Sequence, residues 1–358
     1  MNICRRAVQV LVLLVAAVSV CVLARTNTST LIDTVARIDP APVLDFQRDS
    51  LLSRILIPRV PDSANSTRVR EAIIAQLQST GNKWHIETPS FTAQTPYGPK
   101  TMTNIVATRD PTAARRLVLA AHYDSKYYAP KKDEPDFVGA TDSAVPCALL
   151  VDTALALDGL LDRYTEQRRN ARTGSAALLD DVSLQLIFFD GEEAYLSWTS
   201  TDSVYGSRHL AQTWSRTWLT DAFHGGPLPA RAIDAIDHFV LLDLLGARDM
   251  QIPAYFQSTR WVYDMMKRAE DDLRASGRLV PAGRRAPRQI FSGESSTASI
   301  SDDHEPFLFR GVPIVHVIPY PFPSVWHTKQ DDASALDYDV IYACAQIMRV
   351  FTAEYLGL

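Results

Sequence analysis

The sequence predicts a single α/β domain with a mixed, mostly parallel central sheet flanked by helices. Short apolar runs at Arg116–Ala121, Leu184–Glu193, Ala235–Leu245 and Pro313–Ile318 have the length and the Leu, Ile, Val and Phe content of buried strands. Segments with helical periodicity lie between most of these runs, which is typical of alternating α/β folds. The chain has 358 residues and is 46% hydrophobic, so it can bury one large core.

The predicted order of elements is a helix, then a strand pair, and then alternating strands and helices. Val69, Ala72, Ile73 and Leu77 share one helix face, and Gly81 can end that helix. The predicted helices are Ser66–Thr80, Ala144–Leu161, Tyr205–Trp218, Thr259–Ser276 and Tyr338–Tyr355. The first strand pair is Lys83–Phe91 and Thr103–Arg109, joined around Thr95-Pro-Tyr-Gly98. Two polar stretches, Arg163–Asp180 and Gly277–Pro287, are predicted to be loops.

The first 24 residues have the pattern of a signal peptide or a signal anchor. Arg5 and Arg6 precede an uncharged, mostly apolar run from Ala7 to Ala24, with a small-residue cleavage site at its end. Residues 25–43 are polar and aperiodic and are predicted to be a linker, followed by a catalytic domain at 44–358. The expected location is the secretory pathway, either secreted or anchored in a Golgi or ER membrane, and membrane contact requires that residues 1–24 are retained.

Composition excludes several classes of protein. The net charge of -5, without a basic stripe, argues against nucleic-acid binding. The four cysteines are too few for a disulfide framework or a Cys-rich zinc site, and only Cys147 and Cys344 lie outside the N-terminal segment. Asn27-Thr-Ser and Asn65-Ser-Thr fit the N-glycosylation pattern, which agrees with a secretory protein.

Acidic and imidazole side chains occur where the predicted strands end. In open α/β sheets the ligand crevice lies beyond the carboxyl ends of the strands, so these side chains are expected near one another. Asp, Glu and His supply the donors of a catalytic zinc, which takes three protein ligands and keeps one open position. No HExxH spacing is present, so the candidates come from scattered segments. The candidates are His122, Asp142, Glu192, Glu193, Asp243 and His327.

Seven blocks between about Leu44 and the C-terminus carry a family resemblance. They are Ala121-His-Tyr-Asp-Ser-Lys126, Phe137-Val-Gly-Ala-Thr-Asp-Ser-Ala-Val-Pro-Cys147, Phe188-Phe-Asp-Gly-Glu-Glu193, Asp202-Ser-Val-Tyr-Gly-Ser-Arg-His209, Leu242-Asp-Leu-Leu-Gly246, Asp302-Asp-His-Glu-Pro-Phe307 and Pro321-Phe-Pro-Ser-Val-Trp-His327. In this order they resemble the glutaminyl-peptide cyclotransferases, or glutaminyl cyclases. These are zinc enzymes built on the fold of the di-zinc M28 aminopeptidases, so the resemblance implies an M28 aminopeptidase-like fold.

The resemblance assigns roles to residues of this chain. It implies that Asp142, Glu193 and His327 hold one zinc ion per chain and that Glu192 is the proton shuttle. The other residues it implicates are Asp243 and Asp302 as supporting acids, Trp198, Phe322 and Trp326 as walls of the substrate pocket, and His122 and His316 as partners of the acidic cluster. The implied reaction cyclises the N-terminal glutamine of peptides to pyroglutamate with release of ammonia. The family also implies a monomer. N-terminal glutamate is expected to be a poor substrate, because its charged carboxylate has no good leaving group.

Two alternatives stay open at this point. A di-zinc aminopeptidase of the same fold needs two further ligands, which the resemblance places at His122 and Asp243, and both are present. The aromatic set and the block that begins at Asp302 favour the cyclase. A metal-free binding domain on a peptidase-like scaffold is the other alternative, but each expected catalytic position keeps its acid or imidazole.

The sequence departs from the family pattern at two positions. Glutaminyl cyclases commonly have a cysteine just before the histidine of the first block, bridged to the position of Cys147. Here that residue is Ala121, so Cys147 is predicted to be a buried free thiol. Ser301 stands where the family often has glutamine, which removes one expected hydrogen bond to the substrate.

Overall fold

A six-stranded sheet forms the centre of the structure, a computed structural model that describes residues 28–129, 136–172, 181–219 and 230–358. Its strand order is β1-β4-β6-β5-β9-β12. The strands are β1 (His85–Glu87), β2 (Ser90–Thr95), β3 (Gly98–Thr103), β4 (Ile105–Thr108), β5 (Arg115–His122), β6 (Val182–Phe189), β7 (Trp218–Leu219), β8 (Ala230–Arg231), β9 (Ile236–Leu242), β10 (Ile252–Ala254), β11 (Phe291–Ser295) and β12 (Ile314–Val317).

The sheet is mixed and mostly parallel, as predicted. β1–β4 and β4–β6 are antiparallel pairs, whereas β6–β5, β5–β9 and β9–β12 are parallel. All residues of β6 are buried, which agrees with a parallel strand covered on both faces. The predicted turn at Thr95-Pro-Tyr-Gly98 is confirmed, but it joins β2 to β3 in a separate hairpin.

Helices cover the sheet. They are α1 (Thr28–Val35), α2 (Ala41–Leu44), α3 (Leu51–Ile55), α4 (Ala64–Gln78), α5 (Val145–Ala156), α6 (Asp158–Arg172), α7 (Tyr205–Trp214), α8 (Arg260–Ala275), α9 (Glu305–Leu308) and α10 (Tyr338–Leu356). Asp337 caps the start of the long C-terminal helix α10, because its side chain accepts hydrogen bonds from Asp339 N and Val340 N, and Gly357, with φ 71°, caps its end. These two caps define where α10 starts and ends.

The prediction of a loop over Arg163–Asp180 is wrong for its first part, because α6 continues to Arg172. Ion pairs with residues distant in sequence hold α6 just before this region and within it. Lys83 Nζ lies 2.7 Å from Asp158 and 2.5 Å from Asp162, and Arg169 Nη2 lies 3.3 Å from Asp110. Because local periodicity does not show such partners, the charged composition suggested a loop. Residues 173–180 lie outside the described residues.

The prediction of a linker over residues 25–43 is also wrong from Thr28 onward. Helix α1 buries Leu31, Ile32 and Val35 in the main core and packs against α10. The helix has 8 residues, too few to show a clear helical period or to be stable in isolation. Tertiary packing therefore stabilises it, and residues 25–27 lie outside the described range.

A buried arginine joins α1 to the rest of the domain. Arg349 on α10 pairs with Asp152 on α5 through two bonds of 2.8 and 2.6 Å. The same guanidinium donates to the backbone oxygens of Val35, at 3.2 Å, and Ile38, at 2.8 Å. It thereby satisfies carbonyl groups at and beyond the end of α1 that have no partner within the helix.

Within the described ranges, no single helix has the length and apolar composition to cross a membrane. One bent pair, Ala140–Ala156 with Asp158–Arg169, meets the length and composition criteria together.

We expect Arg349→Met to lower the free energy of unfolding by about 3–5 kcal/mol, because Asp152 is left as an unpaired buried charge. Denaturant unfolding monitored by circular dichroism measures this loss. Arg54→Met is the matched control, since the Arg54–Asp49 pair is exposed, and it should leave the unfolding midpoint unchanged. The double variant Arg349→Met/Asp152→Leu should recover part of the loss. Equal midpoints for Arg349→Met and the wild type would contradict this assignment.

Candidate metal centre and active site

The carboxyl ends of the parallel strands bring most of the candidate residues together. β5 ends at His122, the loop after β6 carries Glu192 and Glu193, and Asp243 follows β9 directly. The loop that follows β12 carries His327. The strand ends are level because β5 pairs in register with β6 over its whole length and with β9 from Leu117 to Ala120. This is the edge at which ligands bind in open α/β sheets.

Asp142 reaches the same place from an irregular turn before α5. Its backbone is non-helical, with φ -113° and ψ 78°. Gly139 precedes this turn with φ 63°, and a Cβ at this glycine would lie 2.1 Å from the backbone oxygen of Asp142. Arg59, which is fully buried, donates to the backbone oxygens of Gly139 at 3.0 Å and Tyr123 at 2.6 Å. Glycine and arginine together fix where the Asp142 carboxylate points.

Asp142, Glu193 and His327 have the geometry of a zinc site. Nε2 of His327 lies 3.5 Å from Asp142 Oδ2 and 3.5 Å from Glu193 Oε1. Two ligands of one tetrahedral zinc are roughly 3.3–3.5 Å apart, given bond lengths of about 2.0–2.1 Å. Both carboxylate oxygens are buried and lack a hydrogen-bond partner among the described residues. Buried carboxylates without partners are costly, so this donor set fits a divalent cation.

A second group of possible ligands shares Asp142 with the first. Nε2 of His122 lies 3.0 Å from Asp142 Oδ1 and 3.5 Å from Asp243 Oδ1. In this second group, however, one oxygen of the Asp243 carboxylate already accepts hydrogen bonds from the protein. Asp243 Oδ1 accepts a short hydrogen bond from Ser143 Oγ and another, 2.8 Å long, from Leu244 N. The lone pairs of this oxygen are therefore used within the protein, unlike those of Asp142 Oδ2 and Glu193 Oε1.

The two adjacent glutamates have opposite electrostatic environments. Burial, together with the charge of Glu193, raises the pKa of Glu192 well above its usual value, although His122 opposes this shift. For Glu193, the effect of burial is outweighed by the nearby His327 and by the ion pair with Lys126, so the pKa falls to about 2. Environments that separate two pKa values in this way are typical of acid–base sites. Glu193 is suited to bind a cation, and Glu192 to exchange a proton.

Asp124 holds the backbone of both glutamates, and the sequence analysis gave it no role. Its Oδ1 accepts from Glu192 N at 3.1 Å and its Oδ2 accepts from Glu193 N at 3.2 Å. Two further residues were also missed. Lys126 Nζ lies 2.9 Å from Glu193 Oε2, and Tyr128 OH donates to the backbone oxygen of His327 at 2.9 Å. Asp124 and Lys126 stand in the block that begins at Ala121, so the resemblance contained this signal.

Asp302 and His316 form a buried pair beside the candidate zinc site. His316 Nε2 lies 2.8 Å from Asp302 Oδ2. The ring of His304 packs against that of His316 with centroids 4.5 Å apart. Burial and the neighbouring His316 lower the pKa of His304 well below its usual value, so this ring is neutral. The structure thus places His316 next to the acidic cluster, as the resemblance implied.

A cavity of about 740 Å³ opens above these residues and is lined by Trp198, Phe322 and Trp326, as well as by Glu192 and Asp302. The Phe322 and Trp326 rings meet edge to face, with centroids 4.8 Å apart. An aromatic wall beside convergent polar groups is the usual form of a small-ligand site.

Ser301 uses its hydroxyl within the cavity wall. Trp198 Nε1 donates to Ser301 Oγ at 3.1 Å, and Ser301 Oγ donates to Glu305 at 2.6 Å. The serine therefore orients the indole of Trp198.

Cys147 is a buried free thiol, as predicted, and so is Cys344. Burial raises the pKa of Cys147 to about 12, and its thiol donates to the backbone oxygen of His122 at 3.0 Å. Neither thiol is suited to react as a thiolate.

Comparison with known proteins defines the class. The family model described as Peptidase family M28 matches residues 104–352, which is more than half of the chain, so the chain belongs to this family. Glutaminyl-peptide cyclotransferase of Boiga irregularis is 44% identical over 307 residues, which cover 86% of this chain and 80% of the relative. The glutaminyl-peptide cyclotransferase of Bos taurus is 42% identical over 310 residues, which cover 86% of this chain and 81% of the relative. Within the M28 family the chain therefore belongs to the glutaminyl-peptide cyclotransferases.

Solved structures agree with this classification. A crystal structure of Macrostomum lignano glutaminyl cyclase superposes with a TM-score of 0.77 at 31% identity, covering 93% of this chain and 94% of that one. A leucine aminopeptidase precursor from Bacteroides thetaiotaomicron, at 19% identity and a TM-score of 0.60, shares the fold. The predicted M28-like fold class is confirmed.

We expect Gly139→Ala to lower the affinity for metal by about tenfold or more, because the added Cβ displaces Asp142. Residual metal content after dialysis against a chelator measures this effect. Gly277→Ala is a close control, since Gly277 has a similar φ of 68° but nothing within 4 Å of the added Cβ. Both variants carry the same backbone strain, so only Gly139→Ala should lose metal. Equal metal retention would show that the turn does not position Asp142.

Proposed function

We propose that this chain is a zinc-dependent glutaminyl-peptide cyclotransferase, which converts N-terminal glutamine to pyroglutamate and releases ammonia. One observation carries the proposal. Asp142, Glu193 and His327 converge with unpartnered carboxylate oxygens at the base of an aromatic-walled cavity that also contains Glu192. Family membership supports the same reaction, because the curated relatives carry this name.

One zinc ion per chain, held by Asp142, Glu193 and His327, fits the donor set. When bound there, zinc supplies a Lewis acid that polarises the side-chain amide carbonyl of the substrate glutamine. The cavity holds the substrate folded, so that its α-amine lies close to that carbonyl in the geometry of a five-membered ring. Trp198, Phe322 and Trp326 exclude water from this space and strengthen its electrostatic interactions.

Glu192 transfers the protons of the reaction. Its carboxylate lies in the cavity wall, where burial makes it a stronger base than an exposed glutamate. It accepts a proton from the attacking α-amine and delivers a proton to the departing nitrogen. Asp243 and Asp302 line the same cavity and act as supporting acids that restrain the reacting groups by hydrogen bonds.

The group of His122, Asp142 and Asp243 favours one rival, a di-zinc aminopeptidase, because these three could hold a second ion. Asp243 Oδ1 already accepts hydrogen bonds from Ser143 and Leu244, which argues for a single ion. The two functions differ in their products. A cyclase leaves the peptide intact and releases ammonia, whereas an aminopeptidase releases free glutamine.

The protein is proposed to act in the secretory pathway, on peptides or proteins with N-terminal glutamine and poorly on those with N-terminal glutamate. Residues 1–24, a signal peptide or anchor by sequence, support this location, and we propose that the enzyme is a monomer. Of the two glycosylation sequons, Asn27 lies outside the described residues. Asn65 is half-buried and donates its side-chain amide to Pro58 O at 2.8 Å, so Asn27 is the better acceptor.

Incubation with a Gln-initiated peptide should decrease the peptide mass by about 17 Da, as ammonia leaves and a ring closes. Glu192→Gln should abolish this change and keep about one zinc per chain, because Glu192 moves protons and is not a ligand. Mass spectrometry and metal analysis measure both. Glu294→Gln, at an exposed glutamate, is the control and should retain activity. Free glutamine with two zinc ions per chain would establish the aminopeptidase, and an active Glu192→Gln would remove Glu192 from its role.

We expect kcat/KM to rise from about pH 6 to about pH 8. An α-amine has a pKa of roughly 7.7–8.0 and attacks only in its neutral form, whose fraction grows over this range. Initial rates at low substrate concentration, with zinc content checked at each pH, give the profile. A flat profile would contradict attack by the free amine.

A further inference from the structure

Three buried side chains outside the proposed zinc site form another group of metal donors. Asp302, His304 and His316 each offer one ligand atom, and these atoms all lie within 4.8 Å of one another. Each residue is 2–3% exposed. One carboxylate and two imidazoles form a donor set that suits zinc and similar divalent transition metals, whereas magnesium and calcium prefer oxygen donors.

The hydrogen bonding of His304 is incomplete. Its Nδ1 is buried and has no hydrogen-bond partner among the described residues. A buried polar atom without a partner costs free energy, so it calls for an explanation such as a bound ion. The proposed reaction gives His304 no task. Its ring is in contact with His316, which in turn is bonded to Asp302.

We propose that Asp302, His304 and His316 form a second site for zinc, or a similar divalent cation, whose occupation inhibits the enzyme. The site is distinct from that of Asp142, Glu193 and His327, with which it shares no residue. The existence of the site stands on its own geometry. The inhibitory effect rests on the proposed function.

The second site is weaker than the first because it is not preformed. His316 Nε2 and Asp302 Oδ2 are 2.8 Å apart, joined by a hydrogen bond. Two ligands of one zinc ion stand roughly 3.3–3.5 Å apart, so this bond must break and the side chains must separate. At the first site the corresponding atoms are already 3.5 Å apart. The second site therefore fills only when metal is in excess.

Metal can reach this site through the substrate cavity. Asp302 lines that cavity together with Glu192 and Trp198, whereas His304 and His316 lie behind it. An ion held there takes the Asp302 carboxylate as a ligand and removes it from its supporting role. It also places a divalent charge beside the reacting groups. The chain thus loses activity as the second ion binds.

Zinc titration of the purified full-length chain tests the proposal. Equilibrium dialysis with elemental analysis counts bound zinc, and cyclisation of a Gln-initiated peptide is measured at the same free zinc concentrations. The wild type should bind a second zinc ion and lose at least about tenfold in kcat/KM as it fills, as expected when a group that acts on the reaction is removed. His304→Gln should bind one zinc ion and stay active throughout.

Two further variants separate metal binding from packing. His304→Phe keeps the ring contacts with Phe256 and His316 but cannot bind metal, so it should behave like His304→Gln. His85→Gln removes an exposed histidine on β1 and should behave like the wild type. Activity without added zinc shows that each variant is folded.

Each result decides one part of the proposal. A wild type that binds a single zinc ion over the whole range overturns the second site. A second zinc ion that persists in both His304 variants also overturns the second site, because that ion then lies elsewhere, for example at His122 and Asp243. A second ion that depends on His304 but leaves the rate unchanged overturns the inhibition alone. A wild type that never cyclises the peptide, yet binds the His304-dependent ion, refutes the proposed function and supports the site.

Discussion

The structure depends on two buried carboxylates that face one point in space. Asp142 Oδ2 and Glu193 Oε1 both lie 3.5 Å from His327 Nε2, and neither has a hydrogen-bond partner among the described residues. The ligand atoms of the two carboxylates lie within 4.8 Å of one another. Like charges this close in a buried site repel strongly unless a cation lies between them. Burial and the charge of Glu193 together raise the pKa of Asp142 to about 7, which reflects this repulsion. The surrounding fold holds the two groups in an arrangement that a divalent ion stabilises.

Backbone contacts, more than side-chain contacts, maintain this arrangement. Asp124 accepts hydrogen bonds from the amides of both glutamates, and Arg59 donates to the backbone oxygens of Gly139 and Asp142 in the turn that carries Asp142. Both residues are fully buried. Neither needs to contact substrate, but each fixes where a reacting group points. Outer contacts of this kind are what make a metal site selective and a catalytic site rigid.

The sequence indicated which side chains follow the strand ends better than it indicated the extent of helices α1 and α6. Strand ends can be predicted because apolar runs stop at polar residues. The seven blocks that carry the family resemblance include His122, Glu192, Glu193 and Asp243 at those ends. Helix α1 was missed because its 8 residues depend on packing against α10 and on Arg349, which lies more than 300 positions away. The later part of helix α6 was missed because Arg169 pairs with Asp110 and Tyr164 donates to the backbone oxygen of Val182, contacts that local periodicity does not reveal. Both predictions were wrong because long-range contacts, which the local sequence does not show, stabilise these helices.

The number of metal ions cannot be read from the identity of the ligands. His122, Asp142, Glu193, Asp243 and His327 would serve a two-metal centre as well as a one-metal centre. The two groups of possible ligands differ in which carboxylate oxygens already accept hydrogen bonds from the protein. Ser143 and Leu244 donate to Asp243 Oδ1, whereas nothing in the described chain donates to Asp142 Oδ2 or Glu193 Oε1. On a shared M28 scaffold, the hydrogen-bond donors beside each carboxylate oxygen therefore distinguish the two groups of possible ligands where the residue types do not.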